Sequence, residues 1–257
     1  MVLHHVDHGG DGPAVVLLHA FPLDSGMFDR LVPLLEPFRV VTVDLPGLGR
    51  SAVPSGGPAM GHVAAEVVAV MDETGIERAI VLGISTGGYV ALRMAADVPE
   101  RLSALVLGST TPHRIEPDVP DERLAVAAEI ERTASTEPVA GSADEGLGET
   151  AHREQPELVD RLRRTIAEAD PGGVAWMARA IAGRSDTADA LASFAGPVVL
   201  LFGSEDDGTP PSRGEEMLAL RGEAPTTLYV LAATGHLTAL ESPEEVAGVL
   251  AELLPQV

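Results

Sequence analysis

The chain has 257 residues, 17 of them basic and 39 acidic, with a formal net charge of −22 and no cysteine. All the basic residues are arginine, so disulfides, cysteine-based metal sites, thiol nucleophiles and Schiff-base lysines are excluded. The charge repels nucleic-acid phosphates and anionic membranes, and no apolar run reaches the roughly 18 residues of a membrane span. We therefore expect a cytoplasmic protein that binds neither nucleic acid nor membrane, with its oligomeric state left open.

Short apolar runs recur along the chain, and stretches with helical periodicity separate them. An alternating run at 2–8 and a Gly–Pro cluster at 9–13 predict an edge hairpin that leads into a buried strand at 14–19. Further strands are predicted at 40–43, 79–82, 104–107, 198–202 and 227–231. Helices are predicted at 27–35, 62–74, 86–96, 211–220 and 243–253. Unbroken apolar strands that alternate with helices are typical of a doubly wound, mostly parallel α/β sheet.

Residues 112–190 interrupt this alternation, because they contain helical runs but no strand-like run. Helices are predicted here at 123–132, 156–169 and 173–182. The small, polar, glycine-rich stretch 133–150 predicts a mobile loop. We expect a core domain built from 1–111 and 191–257, with 112–190 inserted between two strands as a helical cap.

The sharpest local pattern is Gly83-Ile84-Ser85-Thr86-Gly87, directly between a predicted strand and a predicted helix. A serine on such a turn adopts a strained backbone conformation, and nearby side chains would collide with the strand and the helix. Glycines two positions before and after the serine avoid those collisions. The turn lifts the hydroxyl above the sheet, which makes Ser85 a candidate nucleophile.

A serine nucleophile needs a base, and the base needs a group that fixes its tautomer. His236 and Asp206 each follow a predicted strand, and open α/β sheets place their sites at the carboxyl ends of such strands. Glu205 and Asp207 are rival partners for the histidine, and a solvated acidic turn is the structural alternative for this cluster. The chain order Ser85, Asp206, His236 is the order found in α/β-hydrolases.

Three segments carry a resemblance to that family: 17–28 (LLHAFPLDSGMF), 83–110 (GISTGGYVALRMAADVPERLSALVLGST) and 235–246 (GHLTALESPEEV). Over nearly its whole length the chain resembles the serine-nucleophile branch of the α/β-hydrolase fold, and these segments are similar to the 3-oxoadipate enol-lactonase group. The resemblance implies a serine hydrolase without metal or other cofactor, which cleaves a small-molecule carboxylic ester or lactone through an acyl-enzyme intermediate.

The resemblance also implies residue roles. Ser85 is the nucleophile, His236 the base and acid, and Asp206 the orienting carboxylate. The backbone amides of Phe21 and Thr86 form the oxyanion hole.

Three further residues are candidates for substrate binding: Phe28, Trp176 and Leu237. The protein core is the alternative location for Phe28 and Trp176. The N-terminal group His4, His5, Asp7 and His8 is divided between the two faces of an alternating strand, so it predicts a surface strand rather than a metal site.

Several related chemistries use the same triad, and the motifs do not separate them. Perhydrolases, thioesterases and C–C bond hydrolases remain alternatives. So does a non-hydrolytic protein of this fold, which binds a ligand or catalyses elimination or rearrangement in natural-product tailoring.

Overall fold

Seven strands form one sheet in the computed structural model, which describes residues 3–114 and 122–256. The strands are β1 (His5–Asp7), β2 (Ala14–Leu18), β3 (Arg39–Val43), β4 (Ala79–Ile84), β5 (Leu102–Gly108), β6 (Val198–Gly203) and β7 (Thr226–Leu231). Their spatial order is β1-β3-β2-β4-β5-β6-β7, and every neighbouring pair is parallel except β1 with β3. The predicted doubly wound, mostly parallel sheet is confirmed.

The burial of each strand follows from its place in the sheet. The apolar strands β4 and β6 are buried along their whole length, because layers cover both faces of a parallel sheet. By contrast, β7 lies at the sheet edge and is only partly buried.

The α-helices of the described residues are α1 (Met60–Glu73), α2 (Thr86–Asp97), α3 (Glu122–Thr133), α4 (Ser142–Glu145), α5 (Glu149–Glu154), α6 (Pro156–Glu168), α7 (Pro171–Ala182), α8 (Ala188–Ser193), α9 (Pro211–Arg221), α10 (Thr238–Glu241) and α11 (Pro243–Ala251). Helix α2 packs on α1 and on β2, β4 and β5, whereas α9 packs on β6 and β7. In the part of the chain described here, no helix combines the length and the apolar character needed to cross a bilayer.

The N-terminal strand does not form the predicted hairpin with β2. It pairs with β3 instead, antiparallel, with His5 opposite Val43. The turn after β1 passes close to the start of β3, and a Cβ on Gly10 (φ +118°) would lie 2.0 Å from the Phe38 carbonyl oxygen. The chain therefore continues past β3 and enters the sheet on the other side of it. The glycine cluster marks a close crossing of two segments rather than a tight hairpin.

Residues 27–35 are not the predicted α-helix. Two short 3-10 turns, Ser25–Phe28 and Val32–Leu34, occupy this stretch. Pro33 lies in the first turn of the second of them and offers no backbone N–H to an α-helix that would continue through it. The apolar spacing was still informative, because Met27, Phe28, Leu31 and Leu35 are all buried.

Between β5 and β6 the described residues form helices and turns and no strand, as the sequence predicts. The stretch 133–150 is more ordered in secondary structure than the predicted loop: it contains the 3-10 turn Glu137–Val139, helix α4 and the start of α5. Buried Ala143 and Leu147 anchor it. The cap boundaries at 112 and 190 remain a prediction.

The cap meets the core through a direct contact of two backbones. A Cβ on Gly173, in α7, would lie 1.8 Å from the carbonyl oxygen of Gly47, which follows β3. Gly47 itself has φ +76°, a conformation that side chains rarely adopt. Neither position has room for any other residue.

We expect Gly173→Ala to lower the free energy of unfolding by about 1–3 kcal/mol, because the new methyl group collides with backbone that cannot rotate away. Gly248→Ala is the matched control: Gly248 lies inside α11, and a Cβ there would meet nothing within 4 Å. Alanine should stabilise that helix by about 0.5–1 kcal/mol. Urea denaturation of both variants measures the difference, and equal stabilities would contradict the contact.

Candidate active site

Ser85 occupies the strained turn that the sequence predicts between β4 and α2. Its backbone has φ 54° and ψ −111°, a conformation that costs about 1–3 kcal/mol for a residue with a side chain. The flanking glycines make it possible: a Cβ on Gly83 would lie 2.2 Å from the Gly87 carbonyl oxygen, and one on Gly87 would lie 2.0 Å from that of Leu18. Helix α2 can therefore begin directly against the sheet.

Hydrogen bonds hold the turn in this conformation. The Ser85 amide donates to the Gly108 carbonyl at 2.8 Å, and the Thr110 hydroxyl donates to the Ser85 carbonyl at 2.9 Å. Both partners come from the end of β5 and the residues just after it. The Ser85 side chain is consequently held at the carboxyl edge of the sheet.

Asp206 and His236 form the pair that the sequence predicts. The Oδ2 atom of Asp206 lies 2.8 Å from Nδ1 of His236, and the Asp206 side chain is only 2% exposed. The second carboxylate oxygen accepts a hydrogen bond from the Thr209 amide at 2.8 Å. A carboxylate only accepts, so His236 carries its proton on Nδ1 and presents Nε2 as the basic nitrogen.

The two rival acids do not contact the histidine. Asp207 is exposed, and the Glu205 carboxylate accepts hydrogen bonds from the amide and the hydroxyl of Thr150, both at 2.7 Å. These bonds hold the pKa of Glu205 below its usual range. Of the three neighbouring acids, Asp206 alone is placed to orient His236.

Ser85, Asp206 and His236 line one cavity of about 440 Å³. Its lining includes Ser85, Thr86, Asp206, His236 and Leu237 from the core, and Val126, Val139, Ser142, Glu145 and Ile181 from the cap region. Ser85 and His236 thus face one space, although the hydrogen bonds of the described residues include none between them. Such contacts are often long before substrate binds and tighten in the complex.

Two of the three predicted substrate-binding residues lie elsewhere. Phe28 is completely buried in the core, and Trp176 donates from Nε1 to the Gly56 carbonyl at 3.2 Å. This is the alternative location that the sequence left open for both, and we assign neither a role in substrate binding. Leu237 does line the cavity, and its role remains a prediction.

Phe21 and Thr86 also line the cavity. Thr86 is the first residue of α2, so its amide has no partner within the helix. Across the described ranges, neither the Phe21 nor the Thr86 amide donates to a backbone acceptor. Both amides are therefore available to a ligand.

Two buried side chains support the loop that carries Phe21. His19 is completely buried; its Nδ1 donates to the Ala20 carbonyl and its Nε2 accepts from the Leu45 amide, both at 2.9 Å. Burial lowers the pKa of His19, which keeps the imidazole neutral. Asp44 accepts hydrogen bonds from the Ser25 and Arg50 amides. Burial opposes the charge on Asp44, but interactions with the Ser25 side chain and with the Arg50 and Ser25 amides outweigh burial, so the pKa of Asp44 is lowered.

The N-terminal histidines have their own hydrogen-bond partners. Nδ1 of His4 is 2.9 Å from Asp44, Nε2 of His8 is 3.1 Å from the Thr42 hydroxyl, and His5 bonds to the Leu3 carbonyl. Within residues 3–114 and 122–256, no three potential ligands of the His, Cys, Asp and Glu types come together.

A larger groove of about 740 Å³ lies beside His4 and Asp44. It is lined by neither Ser85 nor His236. We take the smaller cavity as the candidate active site, because Ser85, Asp206 and His236 all line it.

Sequence reasoning missed one residue next to this cavity. Glu241 is buried in α10, and its carboxylate accepts hydrogen bonds from the amides of Gly148, Gly235 and Leu237. Burial raises the pKa of Glu241, while the three amides act in the opposite direction. The available signal was an acidic residue directly after the apolar pair Ala239-Leu240, five positions beyond His236.

Known proteins resemble this chain in sequence and in fold. The model of the alpha/beta hydrolase fold family matches residues 13–243, which is most of the chain. The chain belongs to the α/β-hydrolase family. A pimeloyl-[acyl-carrier protein] methyl ester esterase of Xanthomonas oryzae pv. oryzae is 30% identical over 98% of this chain and 99% of that protein.

Other relatives point in the same direction. A 3-oxoadipate enol-lactonase of Acinetobacter baylyi is 25% identical over 91% of this chain and 85% of its own length. A thermophilic esterase from Thermogutta terrifontis superposes with a TM-score of 0.92 at 31% identity, over 98% of this chain and 93% of its own. These matches confirm the predicted resemblance to α/β-hydrolases, including the similarity to enol-lactonases. They also confirm the predicted class, an ester-cleaving hydrolase.

One match is local. The acetyltransferase component of an acetoin cleaving system from Cupriavidus necator is 42% identical, but only over 39% of this α/β-hydrolase and 27% of that protein. This chain thus spans about a quarter of that relative's length.

Acid should destabilise the fold through His19. The pKa of His19 is lowered in the folded chain, so the unfolded state binds the proton at higher pH and stability falls as the pH drops below about 6.5. One such group contributes a slope of up to about 1.4 kcal/mol per pH unit.

We expect His19→Asn to flatten this slope as the pH falls below about 6.5, in addition to lowering stability at neutral pH. Chemical denaturation as a function of pH measures the slope. His62→Gln is the control, because His62 is exposed, and its slope should match wild type. A wild-type slope that His19→Asn leaves unchanged would rule out a buried neutral His19.

Proposed function

We propose that this α/β-hydrolase is a serine hydrolase that cleaves a carboxylic ester or lactone through an acyl-enzyme intermediate. One observation carries the proposal: the hydrogen-bonded pair of Asp206 and His236 lines the same cavity as Ser85, which lies on a strained turn that only glycine neighbours permit. Nucleophile, base and orienting acid are the three parts that acyl transfer by serine needs.

The first step is attack on the acyl carbonyl. The Ser85 oxygen forms a bond to the carbonyl carbon while its proton moves to Nε2 of His236. Asp206 keeps the other ring proton on Nδ1 and stabilises the imidazolium that forms. Because Asp206 is buried and hydrogen-bonded twice, its charge is held in place rather than solvated.

The negative charge that develops on the carbonyl oxygen needs donors fixed in advance. The amides of Phe21 and Thr86 line the cavity and fit this role, and Thr86 adds the positive end of the α2 helix dipole. Each such donor contributes about 3 kcal/mol to transition-state stabilisation. The hydrogen bonds of His19 hold the loop that presents the Phe21 amide.

The intermediate then breaks down in two stages. The imidazolium returns its proton to the leaving alkoxide, which departs as the alcohol of an ester or stays attached as the opened end of a lactone. Water next attacks the acyl-enzyme with His236 as base, the carboxylic acid is released, and Ser85 regains its proton. No group beyond the substrate and water is required.

The relatives narrow the substrates to test first. One acts on a methyl ester and another on an enol-lactone, as their names state. Cleavage of either bond by a serine proceeds through the same type of tetrahedral intermediate. The cavity of about 440 Å³ is of the size that takes a small-molecule acyl group. Thioesters, peracids and activated C–C bonds share this chemistry and belong in the same panel.

Ser85→Ala should abolish covalent labelling by a fluorophosphonate, followed by intact mass, and lower the turnover of p-nitrophenyl acetate by at least about 10⁴-fold. The alanine variant should fold normally, since it removes only a hydroxyl. Folded wild-type protein that is neither labelled nor more active than Ser85→Ala would overturn the proposal and favour a ligand-binding or non-hydrolytic protein.

Asp206→Asn should reduce kcat by about 10³-fold or more, because the amide disfavours the tautomer with a proton on Nδ1 of His236. Asp207→Asn is the matched control, one residue further along and exposed, and it should keep nearly full activity. The reverse ranking in steady-state kinetics would assign the role to Asp207.

A further inference from the structure

A buried carboxylate joins the His236 loop to the cap. The Oε2 atom of Glu241 accepts from the amides of Gly235 and Gly148, each at 2.9 Å, and Oε1 accepts from the Leu237 amide at 3.0 Å. Two of these donors flank His236 on either side, and the third lies in the cap just before α5. One side chain thus fixes both ends of the residue that serves as base and ties them to the inserted segment.

The Asp206 loop is tied to the same cap segment by a second carboxylate. Glu205, next to Asp206, accepts from the Thr150 amide and the Thr150 hydroxyl, both at 2.7 Å. Thr150 lies two residues after Gly148. Residues 146–150 of the cap therefore touch the loops of both members of the acid–base pair.

Backbone contacts in this region are equally close. The Leu237 amide also donates to the Gly146 carbonyl at 3.2 Å, and a Cβ on Gly235 would lie 2.2 Å from the Gly148 amide nitrogen. No side chain separates the cap from the His236 loop here. Movement of this segment away from the core would break the Glu241, Glu205 and Gly146 hydrogen bonds together.

We infer that Glu241 is a positioning residue for His236, and that Glu241 and Glu205 make residues 146–150 a fixed part of the catalytic framework instead of a moving part of the cap. The inference rests on the proposed function, because it assigns these contacts to the placement of the base. Substrate must then enter past other parts of the cavity lining.

Glu241 affects the position of His236 because its carboxylate is the acceptor for backbone amides beside that residue. Removing Glu241 from its position leaves the Gly148 and Gly235 amides without their acceptor, and buried amides without a partner are costly. The loop then relaxes to satisfy them and carries His236 with it. A displacement of about 1 Å at a catalytic group can cost about 10²-fold in rate.

Glu241→Gln is the decisive variant, because it keeps the size of the side chain but replaces one acceptor oxygen by a donor. We expect kcat for p-nitrophenyl acetate to fall by about 10- to 100-fold, with KM changed by less than about threefold, since His236 acts on the reaction rather than on ground-state binding. Glu245→Gln is the control, because Glu245 is an exposed carboxylate on the neighbouring helix α11, and its kinetics should match wild type.

Amide hydrogen exchange measures how stable the same contacts are and does not depend on catalytic activity. Peptides that cover 146–150 and 234–238 should exchange faster in Glu241→Gln and remain as protected as wild type in Glu245→Gln. Glu205→Gln, at a partly exposed position, is a milder second test in which exchange rises at 146–150. It keeps the inference testable should Glu241→Gln fold poorly.

The possible outcomes distinguish a failure of the inference about Glu241 from a failure of the proposed function. Faster exchange together with a loss of kcat in folded Glu241→Gln supports the inference. Faster exchange or a lower melting temperature with unchanged kcat makes Glu241 a structural residue and overturns the inference. Unchanged exchange in both Glu241→Gln and Glu205→Gln also overturns the inference. If wild type is no more active than Ser85→Ala, the proposed function fails, and a kinetic role for Glu241 fails with it, whatever the exchange data show.

Discussion

The site depends on one steric constraint, the approach of helix α2 to the sheet beneath Ser85. Gly83 and Gly87 let the backbones of β4, α2 and β2 meet at distances that no Cβ allows. That approach places Ser85 in its strained conformation and brings the first amide of α2 to the cavity. Hydrogen bonds to residues at the end of β5 and just after it maintain the strain, so the sheet fixes the position of Ser85.

Around this turn, the protein stabilises buried negative charge with backbone amides and imidazoles. Asp44, Asp206 and Glu241 are the buried acids of the described residues, and the ion pairs of that part of the chain join none of them to an arginine. Each instead accepts hydrogen bonds from neighbouring amides, and Asp44 and Asp206 also bond to a histidine. Because the fold fixes these amides, a carboxylate that accepts from them also holds in place the loops that carry them. Burial therefore distinguishes these three acids from the exposed acids of a chain with a net charge of −22.

Sequence patterns predicted those features that depend on interactions between residues close together in the chain. The apolar strands, the glycine-flanked serine and the placement of Asp206 and His236 after strands all follow from periodicity and turn chemistry, and the structure reproduces them. The failures involve contacts between distant segments. The glycines at 9 and 10 signalled a turn but not that β1 would cross to β3, and nothing near Glu241 in sequence names Gly148 as its partner. Phe28 lies close to Phe21 along the chain, yet its side chain is completely buried in the core.

The helical segment inserted between β5 and β6, the predicted cap, makes several contacts with the core. It is fastened to the core at several separate places: the backbone contact of Gly173 with Gly47, the hydrogen bond from Trp176 to Gly56, and the carboxylate ties at residues 146–150. A cap held at separated points cannot rotate away as a rigid body without breaking all of them. The cavity itself is lined by apolar side chains such as Val126, Val139 and Leu237. The hydrogen bonds of Glu241 and Glu205 are made with backbone amides and with the Thr150 hydroxyl, so the attachment of residues 146–150 to the loops of Asp206 and His236 runs through those groups and not through the apolar side chains of the cavity.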